Sequence, residues 1–197
     1  MAAGGQLPGD DDAHLLRAYG EGDEEAFAQL FERHYDRVYR LAYRYAGSAT
    51  DAEDLAQRVF LKVMQAASTF EPRARFTTWL FRVTANECLS YIRSRQRSLE
   101  LTGVEGAAEL QSSQTVDPAE EVLRDELARE VRAAVLTLPE RQRLAVVLSR
   151  YEGLSYAQIA DALGVSVQAV KSLVNRAHTA LREKLRRSID GEESSET

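Results

Sequence analysis

LSYAQIADALGVSVQAVKSLVNRA, residues Leu154 to Ala177, decides the reading of this chain. Ile159, Leu163, Val165 and Val170 are apolar at helical spacing, Ala160 is small and Gly164 interrupts the run, which predicts a helix–turn–helix. Ser155 with Gln158 three residues on makes a capping-box start for the first helix. Gly164 suits the tight turn, where a residue past a helix C-terminus often needs positive φ. Ser166 caps a second helix whose outer face offers Gln168, Lys171, Ser172, Asn175 and Arg176. Amides, a hydroxyl and cations on one face are the groups with which a helix reads the DNA major groove. The plainer alternative is a helical hairpin that only packs.

Working outward, 197 residues hold one domain or two small ones, and 44% apolar content is enough to bury cores. Ala, Leu, Arg and Glu dominate, Pro is sparse and strand-like alternation is rare, so the fold class is all-α. The single cysteine, Cys88, excludes an internal disulfide, and three scattered histidines give no metal site. No apolar run is long enough to span a membrane, and the start, with its acidic LPGDDD, lacks a basic-then-apolar signal. A cytoplasmic protein without metal or cofactor is expected.

The net charge of −6 looks wrong for a nucleic-acid binder until it is divided. From Arg73 to Arg97 there are six arginines against one acid, Glu87. From Arg141 to Arg187 there are nine basic residues against three acids. From Glu100 to Glu130 the sign reverses, with nine acids against two arginines. Phosphate binding needs local positive potential rather than a positive total, and two basic patches flanking an acidic middle supply it.

The organisation follows the same shifts. Residues 1–11 and the tail 189–197, poor in apolar residues, are expected to be disordered. A first helical domain covers 12–97. In it Ala26, Phe27, Leu30, Phe31, Tyr35, Val38, Tyr39, Ala42 and Tyr43 recur at helical spacing as candidate core. A break at Gly47–Ser48 leads to a helix over about 51–67, then a Pro72-containing loop, then a long helix capped by Thr77. Residues 98–116 carry Gly, Ser and acids without a period, a flexible acidic linker. A second helical domain covers 117–188, with Asp117-Pro118 opening one helix and Leu138-Pro139 the next.

DAEDLAQRVFLKV (Asp51–Val63), ARFTTWLFRVTANECLSYIRSR (Ala74–Arg95) and the block from Leu138 to Ala177 resemble bacterial sigma factors of the sigma-70 family. The resemblance is to the group-4, extracytoplasmic-function (ECF) type, which keeps only regions 2 and 4, and it runs from about Ala13 to Arg187. It implies a non-enzymatic factor that binds core RNA polymerase and directs initiation at promoter −10 and −35 elements. It also implies that the Asp51–Val63 helix docks on the clamp helices of the largest polymerase subunit through Asp51, Glu53, Asp54 and Gln57. Region 4 would meet the β-subunit flap, and an anti-sigma factor is a further partner. Without the resemblance, those carboxylates read as a solvated face, with Leu55, Val59, Phe60 and Val63 inward.

The loop from Phe70 to Trp79 interleaves aromatics with arginines, a composition that stacks unpaired bases and holds their backbone. The resemblance makes it the site that captures a base flipped from the −10 element, with Phe70, Arg73, Arg75, Phe76, Arg82, Asn86, Arg93 and Arg95 as contacts. The alternative for Phe76 and Trp79 is core aromatics. For the −35 element the candidates are Arg143, Arg150, Ser166, Gln168, Lys171, Ser172, Asn175 and Arg176. Five positions depart from the family pattern: Arg58, Met64, Ala85, Leu173 and His178, and Leu173 alternatively joins the core. Two other function classes stay open: a helix–turn–helix regulator acting beside another sigma factor, and a nuclease holding metal on Asp51, Glu53 and Asp54. The second lacks a converging constellation.

Overall fold

The structure, a computed structural model, describes residues 10–71, 74–102 and 120–192, with the side chains of 96–126 and 187–192 outside the description. Among the described residues every regular element is helical. Helices α1 (Asp11–Gly20), α2 (Glu24–Ala46), α3 (Ala49–Ala66) and α4 (Phe76–Thr102) form the first domain, with a 3-10 turn at Ala67–Thr69. The second contains α5 (Glu120–Leu136), α6 (Glu140–Arg150), α7 (Tyr156–Leu163) and α8 (Val167–Glu192).

Local chemistry sets most helix ends. The Asp23 carboxylate accepts the Glu25 and Ala26 amides at 3.1 and 3.3 Å, starting α2. Gly47, at φ 80°, stops it, and Ser48 Oγ starts α3 by accepting the Asp51 amide. One expected cap is corrected. Thr77 lies inside α4, and the amide of Phe76 donates instead to Asp10 Oδ2 at 2.6 Å, a partner 66 residues away. Asp10 and Asp11, expected in the disordered tail, therefore belong to the fold, Asp11 as the first residue of α1. Helix α4 continues to Thr102 and α8 to Glu192, past the boundaries expected at 97 and 188. The Asp117-Pro118 start and most of the linker lie outside the described residues.

Two large apolar clusters hold the described residues, beside a small one of Leu138, Val146 and Ala177. One is internal to the first domain, where Leu16, Leu30, Val38, Val59, Val63, Phe76 and Leu80 are buried together. Phe31, expected in it, is 38% exposed. The aromatic stripe of α2 is wider than the core beneath it, so Phe31, Tyr35, Tyr39 and Tyr43 stack with near-parallel rings along the helix at centroid spacings of 4.7, 6.2 and 6.3 Å. The other cluster joins the domains: Leu41, Tyr45, Phe81, Ala85, Cys88 and Leu89 pack in one core with Leu144, Leu148, Ile159, Leu163, Val170 and Val174. Helix α7 lies against α4, and α6 against α2. Gly47 sits at this contact, where an added Cβ would stand 2.5 Å from a methyl of Leu136.

Candidate nucleic-acid interface

In the second domain the sequence pattern is reproduced atom by atom. Ser155 Oγ accepts the Gln158 amide at 3.3 Å while Gln158 Oε1 accepts the Ser155 amide at 2.9 Å, the reciprocal capping box. Gly164 adopts φ 62°, and Ser166 Oγ accepts the Ala169 amide at 3.1 Å to start α8. Ile159, Leu163, Val170 and Val174 turn inward and fix the angle between α7 and α8. Gln168, Lys171, Ser172, Asn175 and Arg176 are all exposed on α8. Leu173 packs half-buried against the shared core, and His178 is exposed.

Arg150 is also exposed, whereas Arg143 is occupied inside the protein. Its guanidinium donates to the carbonyls of Tyr45 at 2.9 Å, Leu136 at 2.5 Å and Leu138 at 3.3 Å. Burial pulls its pKa below the ordinary guanidinium range. Its neighbour Tyr45 is shifted the opposite way, upward, because burial disfavours the phenolate, with Cys88 as the next cause.

The first domain divides its candidates differently. Phe76 is 0% exposed, its ring 5.3 Å from His34 and 5.7 Å from Trp79, so it has no free face for a base. That corrects its placing among the base contacts: the ring anchors the start of α4. Phe70 is half-buried and edge-on to Trp79 at 5.0 Å, leaving part of its ring accessible. Phe70, Thr69, Glu71, Trp79 and Arg82 line an open cleft of about 500 Å³, and Asp161 of α7 is also on its lining. Arg75, Arg82, Asn86 and Arg93 are exposed; Arg73 lies outside the described residues. Ala85, whose departure from the family pattern left the base preference open, is fully buried in the shared core.

On α3, Glu53, Asp54, Gln57 and Arg58 are exposed and adjacent, over the buried Leu55, Val59 and Phe60. Asp51 stands apart. It accepts from Arg95 at 3.3 Å, and Arg95 also donates to Tyr91 Oη at 2.9 Å. Burial, then the Asp51 carboxylate, pushes the Tyr91 phenol up to about 12. Two residues placed on different partners by the sequence, Asp51 and Arg95, are thus partners of each other. Among the described residues no group of three or more His, Cys, Asp or Glu could hold a metal ion, and no helix is long and apolar enough to cross a membrane.

Sequence reasoning missed the contact between domains. Glu152, in the turn after α6, has a side chain 4% exposed and accepts from Arg37 Nε at 2.7 Å, with Arg44 at 3.8 Å. Arg44 also lies 4.5 Å above the Tyr151 ring, and Arg37 lies 4.6 Å above Phe81. The partners are 115 residues apart, and no local period couples them.

The sigma-70 region 2 profile matches residues 30–98, and the sigma-70 region 4 profile matches 128–181. The ECF RNA polymerase sigma factor SigW of Bacillus subtilis is 31% identical over 178 residues, 87% of this chain and 95% of that protein. The ECF sigma factor SigM of Mycobacterium tuberculosis is 35% identical over 170 residues, 86% of this chain and 82% of that one. The solved sigma factor RpoE of Bartonella quintana, in complex with the anti-sigma factor NepR, superposes with a TM-score of 0.64 at 27% identity. It covers 81% of this chain and 96% of its own. The all-helical fold, the helix–turn–helix and these likenesses together place the chain in the ECF branch of the sigma-70 family. It is a non-enzymatic transcription initiation factor, which sets aside the nuclease and the accessory-regulator readings.

Proposed function

We propose that this sigma factor divides promoter recognition between α8 and the cleft beside α4, and binds polymerase through α3. Gln168, Lys171, Ser172, Asn175 and Arg176 read or hold the −35 duplex, with Arg150 on the flanking backbone. The observation that carries this is their common exposure on a helix fixed by the Gly164 turn and the Ser166 cap. Phe70, Arg75, Arg82 and Asn86 take the −10 strand, Phe70 offering the ring edge at the cleft and the arginines the charge. Arg93 reaches duplex phosphates. Ser166 contributes to α8 chiefly as its cap.

Glu53, Asp54 and Gln57 form the polymerase-facing patch on α3, against the clamp helices of the largest subunit, and region 4 meets the β-subunit flap. An anti-sigma factor is a fitting further partner, since RpoE of Bartonella quintana was solved with one. All of this takes place in the cytoplasm. The test is run-off transcription with purified core polymerase, this protein and a library of promoter-length DNA, followed by sequencing of the transcripts. Initiation at sites sharing a two-part motif, dependent on this protein alone, is expected. Silence until a housekeeping sigma factor is added would overturn the reading.

A further inference from the structure

Helix α1 lies ahead of the region 2 match, which begins at residue 30, and carries none of the candidate DNA or polymerase contacts. Its two ends nevertheless meet the two ends of the loop that carries Phe70. At one end Gly20 stands so close to the 3-10 turn that an added Cβ would lie 2.8 Å from the Ala67 carbonyl oxygen and 3.3 Å from the Ser68 nitrogen. At the other end Asp10 Oδ2 accepts the Phe76 amide at 2.6 Å and so starts α4. Between these ends, Ala13 and Leu16 are buried in the same cluster as Phe76, and Phe70 and Trp79 pack against that cluster.

Asp10 divides its groups between two helices. Its backbone carbonyl accepts the Ala13 amide at 3.1 Å and opens α1, a position from which an aspartate side chain ordinarily caps its own helix. Here the carboxylate makes no cap bond to α1 and goes to α4 instead. Two residues on, Asp12 Oδ2 lies 2.8 Å from His34 Nε2, and the His34 ring lies 5.3 Å from that of Phe76. Phe76 in turn meets Phe70 at 6.3 Å and Trp79 at 5.7 Å. Helix α1 therefore holds Phe76 by its amide and, through His34, by its ring, and Phe76 sets where the Phe70 and Trp79 rings stand.

We propose that α1 is a brace for the strand-capturing loop, with Asp10 and Gly20 as positioning residues that fix its two ends before DNA arrives. A loop ordered in advance spares the strand the cost of ordering it, so more of the stacking energy appears as affinity. The proposal rests on the promoter-recognition reading above and adds to it two residues that touch no DNA. Charge alone predicts the opposite sign: removing a carboxylate favours a polyanion, whereas losing the brace weakens its binding.

The test uses the full chain without polymerase and reads Trp79, the chain's single tryptophan, on the lining of the cleft. Acrylamide quenching of Trp79 reports the loop without DNA, and its fluorescence change with a mixed-sequence single-stranded 20-mer reports strand binding. Asp10→Ala and Gly20→Ala should raise the quenching and weaken the 20-mer roughly five- to fiftyfold, within the usual value of one stacked base. Asp10→Asn keeps an acceptor oxygen and should return both readouts close to the parent. Ser48→Ala, which removes the cap at the far end of α3 from the loop, should lower the urea midpoint and leave both readouts unchanged. Circular dichroism checks that each variant is folded; if Gly20→Ala loses helix, the contrast of Asp10→Ala with Asp10→Asn decides. Parent-like quenching and binding in Asp10→Ala, or the same losses in Ser48→Ala, overturns the brace alone. A parent whose Trp79 does not respond to the strand overturns the strand-capture reading itself, and the brace falls with it.

Discussion

Region 4 and region 2 arrange their candidate DNA contacts in opposite ways. In region 4, the first turns of α8 carry five exposed candidates on one face, and the buried positions between them do nothing but pack. In region 2, structural and binding side chains alternate within one loop and one helix: Phe76 is buried, Phe70 half-exposed, Arg82 exposed and Ala85 buried. A groove-reading helix needs only an outer face, so periodicity separates its two roles. A strand-capturing site needs aromatics, and aromatics are also what cores are made of. Composition alone cannot assign each ring.

Phe76→Ala breaks that comparison most sharply. As a fully buried ring touching His34 and Trp79, its truncation should cost about 3–5 kcal/mol, seen as a lower midpoint in urea unfolding. A base-stacking Phe76 would leave the unfolding midpoint in place and lower only promoter melting. Phe70→Ala is the counterpart: a small change in midpoint, with single-strand binding weakened by the roughly 1–3 kcal/mol of one stacked base.

In region 4 the comparison is sharpened by two neighbouring cations. Arg176→Ala should lower run-off transcription from −35-dependent promoters, by the about 1–3 kcal/mol of one base contact if it reads a base. Lys171→Ala should weaken binding to all duplexes alike and reduce the slope of log affinity against log salt by about one. Equal loss on all sequences for Arg176→Ala would place it on phosphate as well.

How much was legible follows from distance along the chain. The capping box at Ser155, the turn at Gly164, the cap at Ser166, the break at Gly47–Ser48 and the inward Leu55, Val59, Phe60 and Val63 are all set by residues within four positions. Each was readable because a backbone amide or a helix face selects its own neighbours. Asp10 capping α4, Asp51 meeting Arg95, Arg143 donating to the Tyr45 carbonyl and Glu152 meeting Arg37 bridge 44 to 115 residues. No pattern of period two or 3.6 encodes such pairs. The site was visible as a composition and hidden as a partition: Arg143 and Asp51 have the right chemistry for external partners and spend it internally.

Alkaline titration probes the shared core in a way that region 4 alone would not show. The pKa values of Tyr45, Cys88 and Tyr91 are all raised in the folded chain, chiefly by burial. A raised value means that the folded state holds the proton longer than the unfolded one. The linked stability is therefore complete below the unfolded values, about 9 for the thiol and 10 for the phenols, and is lost as pH climbs through the folded ones. For Tyr91 that loss runs from about pH 10 to about pH 12. Unfolding midpoints should be flat to about pH 9 and fall above it. Tyr91→Phe should shallow the fall between pH 10 and 12, since it removes one titrating group.

The smallest effect separates a cap from a contact. Ser166 was placed among the −35 contacts, yet its hydroxyl accepts the Ala169 amide at 3.1 Å and so starts α8. Ser166→Ala should cost about 1 kcal/mol of stability, whereas Ser166→Asp should keep the cap and favour the positive end of the helix. On DNA the order reverses: a carboxylate beside phosphate repels it, so Ser166→Asp should bind promoter more weakly than Ser166→Ala. Measured together, urea midpoints and promoter affinities should rank the two variants in opposite orders. The same rank in both assays would mean that Ser166 serves α8 alone and lies out of reach of the duplex.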